Sequence, residues 1–346
     1  MADMTAEPWR LVTLAPLPPT VTNDALGDLP LAVVAPDRTD QAATRAALSD
    51  ADLLIYDWQR STGLSAEDIA AAPRLAFVQQ PSVGVPAHDL AALDAANVPL
   101  ANAAGFNAAA VAEWVLGALF GVARHLRWVE DELRAGRWPQ VDVITRGPIE
   151  IGGRRVGVVG FGPIAHTLVA PLLAMGCAVS YWSRSRRAPS DEHGATYRDL
   201  DELIATSDVL INLIALGDET RGLLSASRLA ALPAGGLVIS ASRGGIVDEL
   251  AVLDAVERGH LAGAAFDVYE TEPLPLDSPL RRCDRILLTS HTAGDDEGVL
   301  RPDDGTHRRQ HPASRDRSAG PQHGQPRRPR GPTALTTRAI GTSAAR

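Results

Sequence analysis

The sequence of 346 residues contains no lysine, so its 33 basic residues are all arginine. It has only two cysteines, Cys177 and Cys283, which excludes a disulfide framework and suits a reducing compartment. The first residues lack a basic segment followed by an apolar one, and the apolar runs elsewhere are too short to span a bilayer. We therefore expect a cytoplasmic protein without a secretion signal or a membrane segment.

Positive charge is scarce in most of the chain. The formal net charge is -9, and residues 295–346 hold ten arginines against six acidic residues, so the preceding residues carry about -13. Binding to nucleic acid needs a basic face, so this acidic body argues against such a partner. The length and the 45% apolar content are sufficient for two domains, each with its own core.

The chain alternates short apolar runs with helical segments. In the first hundred residues, strands are predicted at 31–35, 52–58 and 74–80. A longer helical pattern covers 108–138, and the alternation resumes more strongly after Gly152. Continuous apolar strands separated by helices indicate parallel sheets covered on both faces. We predict an α/β fold of two Rossmann-like domains with doubly wound parallel sheets.

Residues 154–176 have the pattern of a strand, a tight turn and a helix. Gly160 would permit the turn, Gly162 would let the backbone approach a pyrophosphate, and the small Ala165 would let helix and strand pack closely. We predict dinucleotide binding here, through a segment made of Gly160, Phe161, Gly162, Pro163 and Ile164. A glycine turn in some other α/β fold is the alternative.

The end of the following strand indicates which dinucleotide is bound. An NAD site usually has an acidic residue there that binds the ribose hydroxyls. This chain instead has Ser183, Arg184 and Arg186, and no carboxylate. A hydroxyl and arginines suit a 2′-phosphate, which favours NADP(H) over NAD(H). A solvated basic loop is the alternative.

The histidines at positions 125, 166 and 260 lie in helical or loop segments without a motif around them, and we expect them on the surface.

Three separated segments, at 78–114, 239–275 and 287–294, resemble the D-isomer-specific 2-hydroxyacid dehydrogenases, of the glyoxylate/hydroxypyruvate reductase type. The resemblance covers about residues 50–294, with the three motifs in the family's order. It implies a flavodoxin-like substrate domain at 1–106, an NAD(P)-binding Rossmann domain at 107–294, and an active site in the cleft between them.

The resemblance also implies a role for individual residues. Arg243 would hold the substrate carboxylate and polarise the carbonyl group, and His291 would be the acid–base group with Glu272 as its partner. Asp267 would contact the nicotinamide carboxamide. The backbone of Val83–Gly84 would bind the substrate carboxylate from the other domain.

The chemistry supports these roles independently. Hydride addition to a 2-oxo acid leaves an alkoxide that must gain a proton, which a histidine can supply near neutral pH. A neighbouring carboxylate favours the protonated imidazole, and arginine offers paired donors to a carboxylate. We predict an oxidoreductase acting on a small 2-oxo acid such as glyoxylate or hydroxypyruvate, without a metal. A homodimer is expected, because the helix at 110–138 resembles the family's dimer contact.

The tail at 295–346 departs from the family, whose members continue with a long helix and a segment that complete the first domain. It is rich in Arg, Asp, Pro, Gly and Gln without apolar periodicity, so we predict disorder. The absence of lysine suggests GC-rich codons. When the tail is back-translated with such codons and translated one base later, it gives an amphipathic helix and the family's usual ending. We interpret the tail as a frameshift product with the slip near Gly294.

Two other interpretations stay open. A nucleotide-sensing corepressor of the same fold would keep the cofactor site, and the presence of Arg243, Glu272 and His291 does not exclude it. An inactive frameshifted remnant is the other. Turnover of a 2-oxo acid separates an enzyme from the corepressor, whereas insolubility would identify the remnant.

Overall fold

The computed structural model describes residues 8–57, 62–85, 88–295 and 343–344. Contacts along the chain divide it into two compact units, one of residues 1–106 with 297–346 and the other of residues 107–296. Each unit is built on a sheet whose main strands are parallel and alternate with helices. The predicted α/β class with two parallel sheets is confirmed.

Within residues 8–57, 62–85 and 88–106, the first unit has five parallel strands and four helices. The sheet order is β2-β1-β3-β4-β5, the order of flavodoxin-like sheets. Its core surrounds Val12, Leu54 and Val78, which are fully buried on the central strands. The elements are β1 (Trp9–Thr13), α1 (Pro19–Leu26), β2 (Leu31–Val34), α2 (Gln41–Leu48), β3 (Leu53–Ile55), α3 (Ala66–Ala70), β4 (Phe77–Gln80), α4 (Leu90–Ala95) and β5 (Leu100–Asn102).

The second unit begins with three helices and continues with a seven-stranded parallel sheet. The elements are α5 (Ala108–Ala123), α6 (Leu126–Arg134), α7 (Asp142–Thr145), β6 (Arg155–Val159), α8 (Pro163–Ala174), β7 (Ala178–Trp182), β8 (Thr196–Tyr197), α9 (Leu200–Ala205), β9 (Val209–Asn212), α10 (Ala226–Leu229), β10 (Gly236–Ser240), α11 (Glu249–Glu257), β11 (Leu261–Phe266) and β12 (Ile286–Leu288). Short 3-10 turns at Pro189–Asp191 and Pro279–Arg282 complete it.

The strand order β12-β11-β10-β9-β6-β7-β8 reverses direction at β6. In open parallel sheets, ligands bind at the carboxyl ends of the strands next to such a reversal. Apolar clusters cover both faces of this sheet, so its strands are buried on both sides, as their continuous apolar sequence predicts. The glycine loop after β6 therefore lies at the reversal point.

The helical pattern predicted at 108–138 is wrong as a single element, because α5 and α6 are separate helices bent by 63°. The break lies at His125, whose backbone is left-handed with φ 53°. Its ring is buried and Nε2 donates to the Arg146 carbonyl at 3.2 Å, so His125 is not a surface residue. Among the described residues, no single helix is long and apolar enough to cross a membrane, and this bent pair meets the criterion only by length and composition.

Most of the tail at 295–346 lies outside the described residues. Disorder of the tail and its origin in a frameshift therefore stay predictions. The exception is a two-residue strand, β13 (Ser343–Ala344), which pairs antiparallel with β5 at the edge of the first unit's sheet.

Candidate active site

The turn after β6 requires a glycine at position 160. Gly160 has φ 96°, in the left-handed region that favours glycine. A Cβ there would lie 2.6 Å from the Ile214 backbone, which is too close for any side chain. The Gly160 N–H donates to the Trp182 carbonyl at 2.8 Å, so the turn is fastened to the end of β7.

Gly162 has the opposite surroundings. It precedes the first residue of α8, Pro163, and a Cβ at Gly162 would meet nothing within 4 Å. The N–H groups of Ile164 and Ala165 belong to the first turn of the helix and have no intrahelical acceptor. Open space in front of free amides at the positive end of a helix fits a pyrophosphate. The residues present therefore fit a dinucleotide cofactor.

Phe161 can contribute only backbone atoms to such a site. Its ring is 2% exposed and stacks on Tyr181, with centroids 3.9 Å apart. Its carbonyl accepts a hydrogen bond from Arg187 Nε at 3.1 Å. Arg187 was not among the predicted cofactor residues, and the sequence contains no signal that would separate it from its arginine neighbours.

The three predicted residues of the loop after β7 differ in their contacts. Ser183 is buried, and its hydroxyl donates to the Ser185 carbonyl at 2.7 Å. Arg186 forms an ion pair with Glu192 at 3.1 Å. Arg184 is exposed and has no ion pair or hydrogen bond to any described residue. Of the predicted basic pair, Arg184 is thus the side chain available to a ligand.

A histidine and a carboxylate meet after β12. His291 Nδ1 lies 2.8 Å from Glu272 Oε2, and the other oxygen of Glu272 accepts from the Tyr269 N–H at 3.0 Å. A carboxylate can only accept these bonds, so Nδ1 carries a hydrogen and Nε2 is left for a substrate. His291 adopts φ 59°, and its N–H donates to the Asp267 carbonyl at 2.8 Å.

Asp267 fastens the loop that carries His291. It is 1% exposed, and Oδ1 accepts from the Thr289 hydroxyl at 2.6 Å and the Thr292 N–H at 2.9 Å. Its Oδ2 accepts from the Ala293 N–H at 2.8 Å. The contacts of Asp267 are thus to the histidine loop, and its contact with a carboxamide stays a prediction.

Arg243 follows β10 and is half-buried. Burial lowers its pKa, and the nearby Glu272 carboxylate acts in the opposite direction. A Cβ on the next residue, Gly244, would lie 1.8 Å from the Tyr269 carbonyl, so this loop packs directly on the end of β11. Arg243, Glu272 and His291 therefore lie at the carboxyl ends of three neighbouring strands.

The predicted substrate loop belongs to the first unit. The Ser82 hydroxyl donates to the Gly84 carbonyl and Asn102 Nδ2 donates to the Val83 carbonyl, both at 2.8 Å. Because a trans peptide places N–H opposite C=O, the N–H groups of Gly84 and Val85 point away from these donors. Within the described residues these N–H groups have no acceptor. The loop can thus donate to an anion.

Residues 116–293 match the family model for the D-isomer specific 2-hydroxyacid dehydrogenase, NAD binding domain. The match covers just over half of the chain. The chain belongs to this family. The family suggested by the sequence motifs is thereby confirmed.

Individual relatives agree with this assignment. D-3-phosphoglycerate dehydrogenase of Mycobacterium leprae is 34% identical over 256 residues, 74% of this chain and 47% of the relative. A probable 2-ketogluconate reductase of Dictyostelium discoideum is 34% identical over 233 residues, 64% of this chain and 67% of the relative. The chain thus spans about half the length of the phosphoglycerate dehydrogenases it matches.

A solved NADPH-dependent glyoxylate/hydroxypyruvate reductase from Sinorhizobium meliloti is also similar. It superposes with a TM-score of 0.71 at 27% identity, covering 83% of this chain and 88% of the other.

One residue of the candidate site was missed from the sequence. Glu249, at the start of α11, accepts from the Glu270 N–H at 2.6 Å and so supports the loop that holds Glu272. Burial raises the pKa of Glu249, and the carboxylates of Glu270, Glu272 and Asp248 add to this effect. Its position in a first helical turn made it resemble an ordinary charge on a helix end.

The two glycines of the turn predict different outcomes for the same substitution. Gly162→Ala should cost less than about 1 kcal/mol of stability, since only a cap preference changes. It should weaken binding of a nicotinamide dinucleotide about tenfold or more, because the Cβ enters the open space before α8. Gly160→Ala should instead lower the melting temperature. Calorimetric titration measures cofactor binding, and thermal unfolding measures stability. Equal loss of stability in the two variants would contradict this account of the turn.

Proposed function

We propose that this protein is an NADP(H)-dependent reductase of small 2-oxo acids, of the glyoxylate or hydroxypyruvate type. The observation that carries the proposal is the pair of His291 and Glu272 at 2.8 Å beside the half-buried Arg243. An acid–base group, its orienting carboxylate and a fixed cation are the groups that carbonyl reduction requires.

The reaction divides between the cofactor and the chain. The reduced nicotinamide, when bound, supplies the hydride to the carbonyl carbon. His291 Nε2 gives a proton to the carbonyl oxygen as negative charge develops there, and takes it back in the oxidation of the hydroxy acid. Glu272 accepts from Nδ1–H throughout, which keeps the ring oriented.

Binding of the substrate would use a cation and free amides. The guanidinium of Arg243 would polarise the carbonyl and contact the carboxylate, since its planar donors match both oxygens. The N–H groups of Gly84 and Val85 would bind the carboxylate, because no described residue accepts from them, while the carbonyls of Gly84 and Val83 are held by Ser82 and Asn102.

The charges of the first unit favour a substrate without a phosphate group. Of its four described arginines, Arg38, Arg45 and Arg74 form ion pairs with carboxylates. The fourth, Arg10, lies near the start of β1, at the opposite end of the strands from the Val83–Gly84 loop. No unpaired cation of this unit's described residues is thus placed for a phosphate. The similarity to a glyoxylate/hydroxypyruvate reductase supports the same choice.

The preference for NADP(H) depends on Arg184. It is exposed and without a partner among the described side chains, while Arg186 is paired with Glu192. A similar structure is described as NADPH-dependent, which supports the proposal.

Two arginine variants test the cofactor preference. Arg184→Ala should weaken NADPH binding about tenfold, the effect of one lost charge-assisted hydrogen bond, and should leave NADH binding unchanged. Arg186→Ala is the matched control and should change neither, because the Arg186 guanidinium is held by Glu192 and lies over the Tyr197 ring. Dissociation constants from fluorescence titration give the answer. The reverse ranking would transfer the role to Arg186, and equal affinity of the parent for both cofactors would refute the preference.

The acid–base pair predicts a separation of turnover from binding. His291→Ala should lower kcat for glyoxylate reduction at least about a hundredfold, with NADPH affinity retained. Glu272→Gln should also lower kcat, because an amide cannot accept from both the Tyr269 N–H and Nδ1–H. Steady-state rates and cofactor titrations are compared. A parent that binds NADPH but reduces none of a panel of 2-oxo acids would instead support a nucleotide-sensing binding protein.

We also propose a homodimer formed through the segment α5–α7. Large apolar side chains are exposed along it, with exposed fractions of 37–77%: Phe120, Leu126, Leu133, Trp138, Val141 and Ile144. Such a concentration on a water-facing surface indicates contact with another chain. The expected partner is a second copy, by the resemblance of this region to the family's dimer contact.

A charge introduced into this segment should separate the copies. Ile144→Glu should shift the protein from dimer to monomer in sedimentation velocity, since Ile144 is 69% exposed in one chain and would be buried in the pair. Leu250→Glu, at a position 61% exposed on α11, is the control and should leave the mass unchanged. A parent that is monomeric at micromolar concentration would rule out the dimer.

A further inference from the structure

A buried histidine stands behind the Val83–Gly84 loop. His88 is 7% exposed, its ring packs edge-on against Tyr56 with centroids 4.7 Å apart, and Nδ1 accepts from the Leu64 N–H at 2.9 Å. A backbone N–H can only donate, so Nδ1 is unprotonated and the ring hydrogen is on Nε2. Burial lowers the pKa of His88 to about 4, which agrees with a neutral ring.

The direction of the next contacts follows from this tautomer. His88 Nε2 lies 3.3 Å from Gln80 Oε1 and donates to it. Gln80 is 1% exposed, and with its oxygen occupied its Nε2 donates to the Ser82 hydroxyl at 2.8 Å. That hydroxyl donates in turn to the Gly84 carbonyl at 2.8 Å. Four hydrogen bonds thus run in one direction from Leu64 to Gly84.

The hydrogen bond from the Ser82 hydroxyl to the Gly84 carbonyl decides which backbone groups the loop presents to a ligand. With the Gly84 carbonyl held on Ser82, the Val85 N–H points to the other side of the peptide plane. A released carbonyl could turn outward and repel an anion. The loop therefore presents an N–H group rather than a carbonyl to a ligand only while the Ser82 hydroxyl points to the Gly84 carbonyl. Gln80 and His88 keep the hydroxyl in that orientation.

We infer that His88 is a positioning residue for carboxylate binding, acting through Gln80 and Ser82 on the Gly84 carbonyl. This inference depends on the proposed function, in which the Val83–Gly84 loop receives the substrate carboxylate. It assigns a role in substrate affinity to a residue that touches no substrate.

A double-mutant cycle in the full-length protein tests the inference. His88→Asn keeps an oxygen for the Leu64 N–H but cannot reach Gln80, and Ser82→Ala removes the last donor. Each should raise KM for glyoxylate about three- to tenfold, the effect of one lost hydrogen bond, with kcat and NADPH affinity little changed. Because both variants break one series of bonds, the double variant should be no worse than the poorer single one.

Two further variants separate positioning from folding. Ser82→Thr keeps the hydroxyl and should restore KM to nearly the parent value. Tyr56→Phe alters a neighbour of the His88 ring outside the series and should leave KM unchanged. Additive effects in the cycle, or a fall in kcat and melting temperature without a change in KM, would show that His88 only supports the fold.

The ring nitrogens give a readout that needs no turnover. Nitrogen-15 spectra of the histidines near neutral pH should show His88 neutral with its hydrogen on Nε2, and the assignment follows from the signal lost in His88→Asn. The opposite tautomer or a charged ring would overturn the inference even in an active enzyme. If the parent reduces no 2-oxo acid while the Nε2–H tautomer is found, the proposed function fails and the bond series stands.

Discussion

The buried carboxylate of Asp267 is the interaction on which the candidate active site depends. It is 1% exposed, and a buried charge without partners is strongly destabilising. Here the Thr289 hydroxyl and the N–H groups of Thr292 and Ala293 satisfy it, all from the loop after β12. The same loop carries His291 in a left-handed conformation. Satisfying Asp267 therefore fixes the backbone that aims the His291 side chain.

The parallel sheet explains why residues far apart in sequence meet. Strands β10, β11 and β12 are neighbours in the second unit's sheet, and their carboxyl ends face the same edge. Arg243, Glu272 and His291 follow these three ends in chain order. The close contact of Gly244 with the Tyr269 carbonyl then joins two of the loops, leaving no room for a side chain. The sheet thus places the groups, and the packing of the loops orients them.

The sequence predicted what depends on neighbours along the chain. The α/β class and the turn at Gly160 follow from local strand, turn and helix signals. The break at His125 does not follow from such local signals, because it depends on the Arg146 carbonyl 21 positions later. Nor could sequence rank the arginines after β7, since Glu192 pairs with one of them and the Phe161 carbonyl binds another. Pairing in space, rather than residue type, decides which of them is free.

In His291 and His88, partners that can act in only one way place the ring hydrogens. Glu272 can only accept, so Nδ1 of His291 carries a hydrogen in either charge state and Nε2 is left to exchange a proton. The Leu64 N–H can only donate, so Nδ1 of His88 is bare and Nε2 carries the hydrogen. In the proposed function, the same type of side chain thus transfers a proton at position 291 and sets the direction of a series of hydrogen bonds at position 88. Gln80 can pass on that direction because an amide both accepts and donates, which a carboxylate in its place could not do.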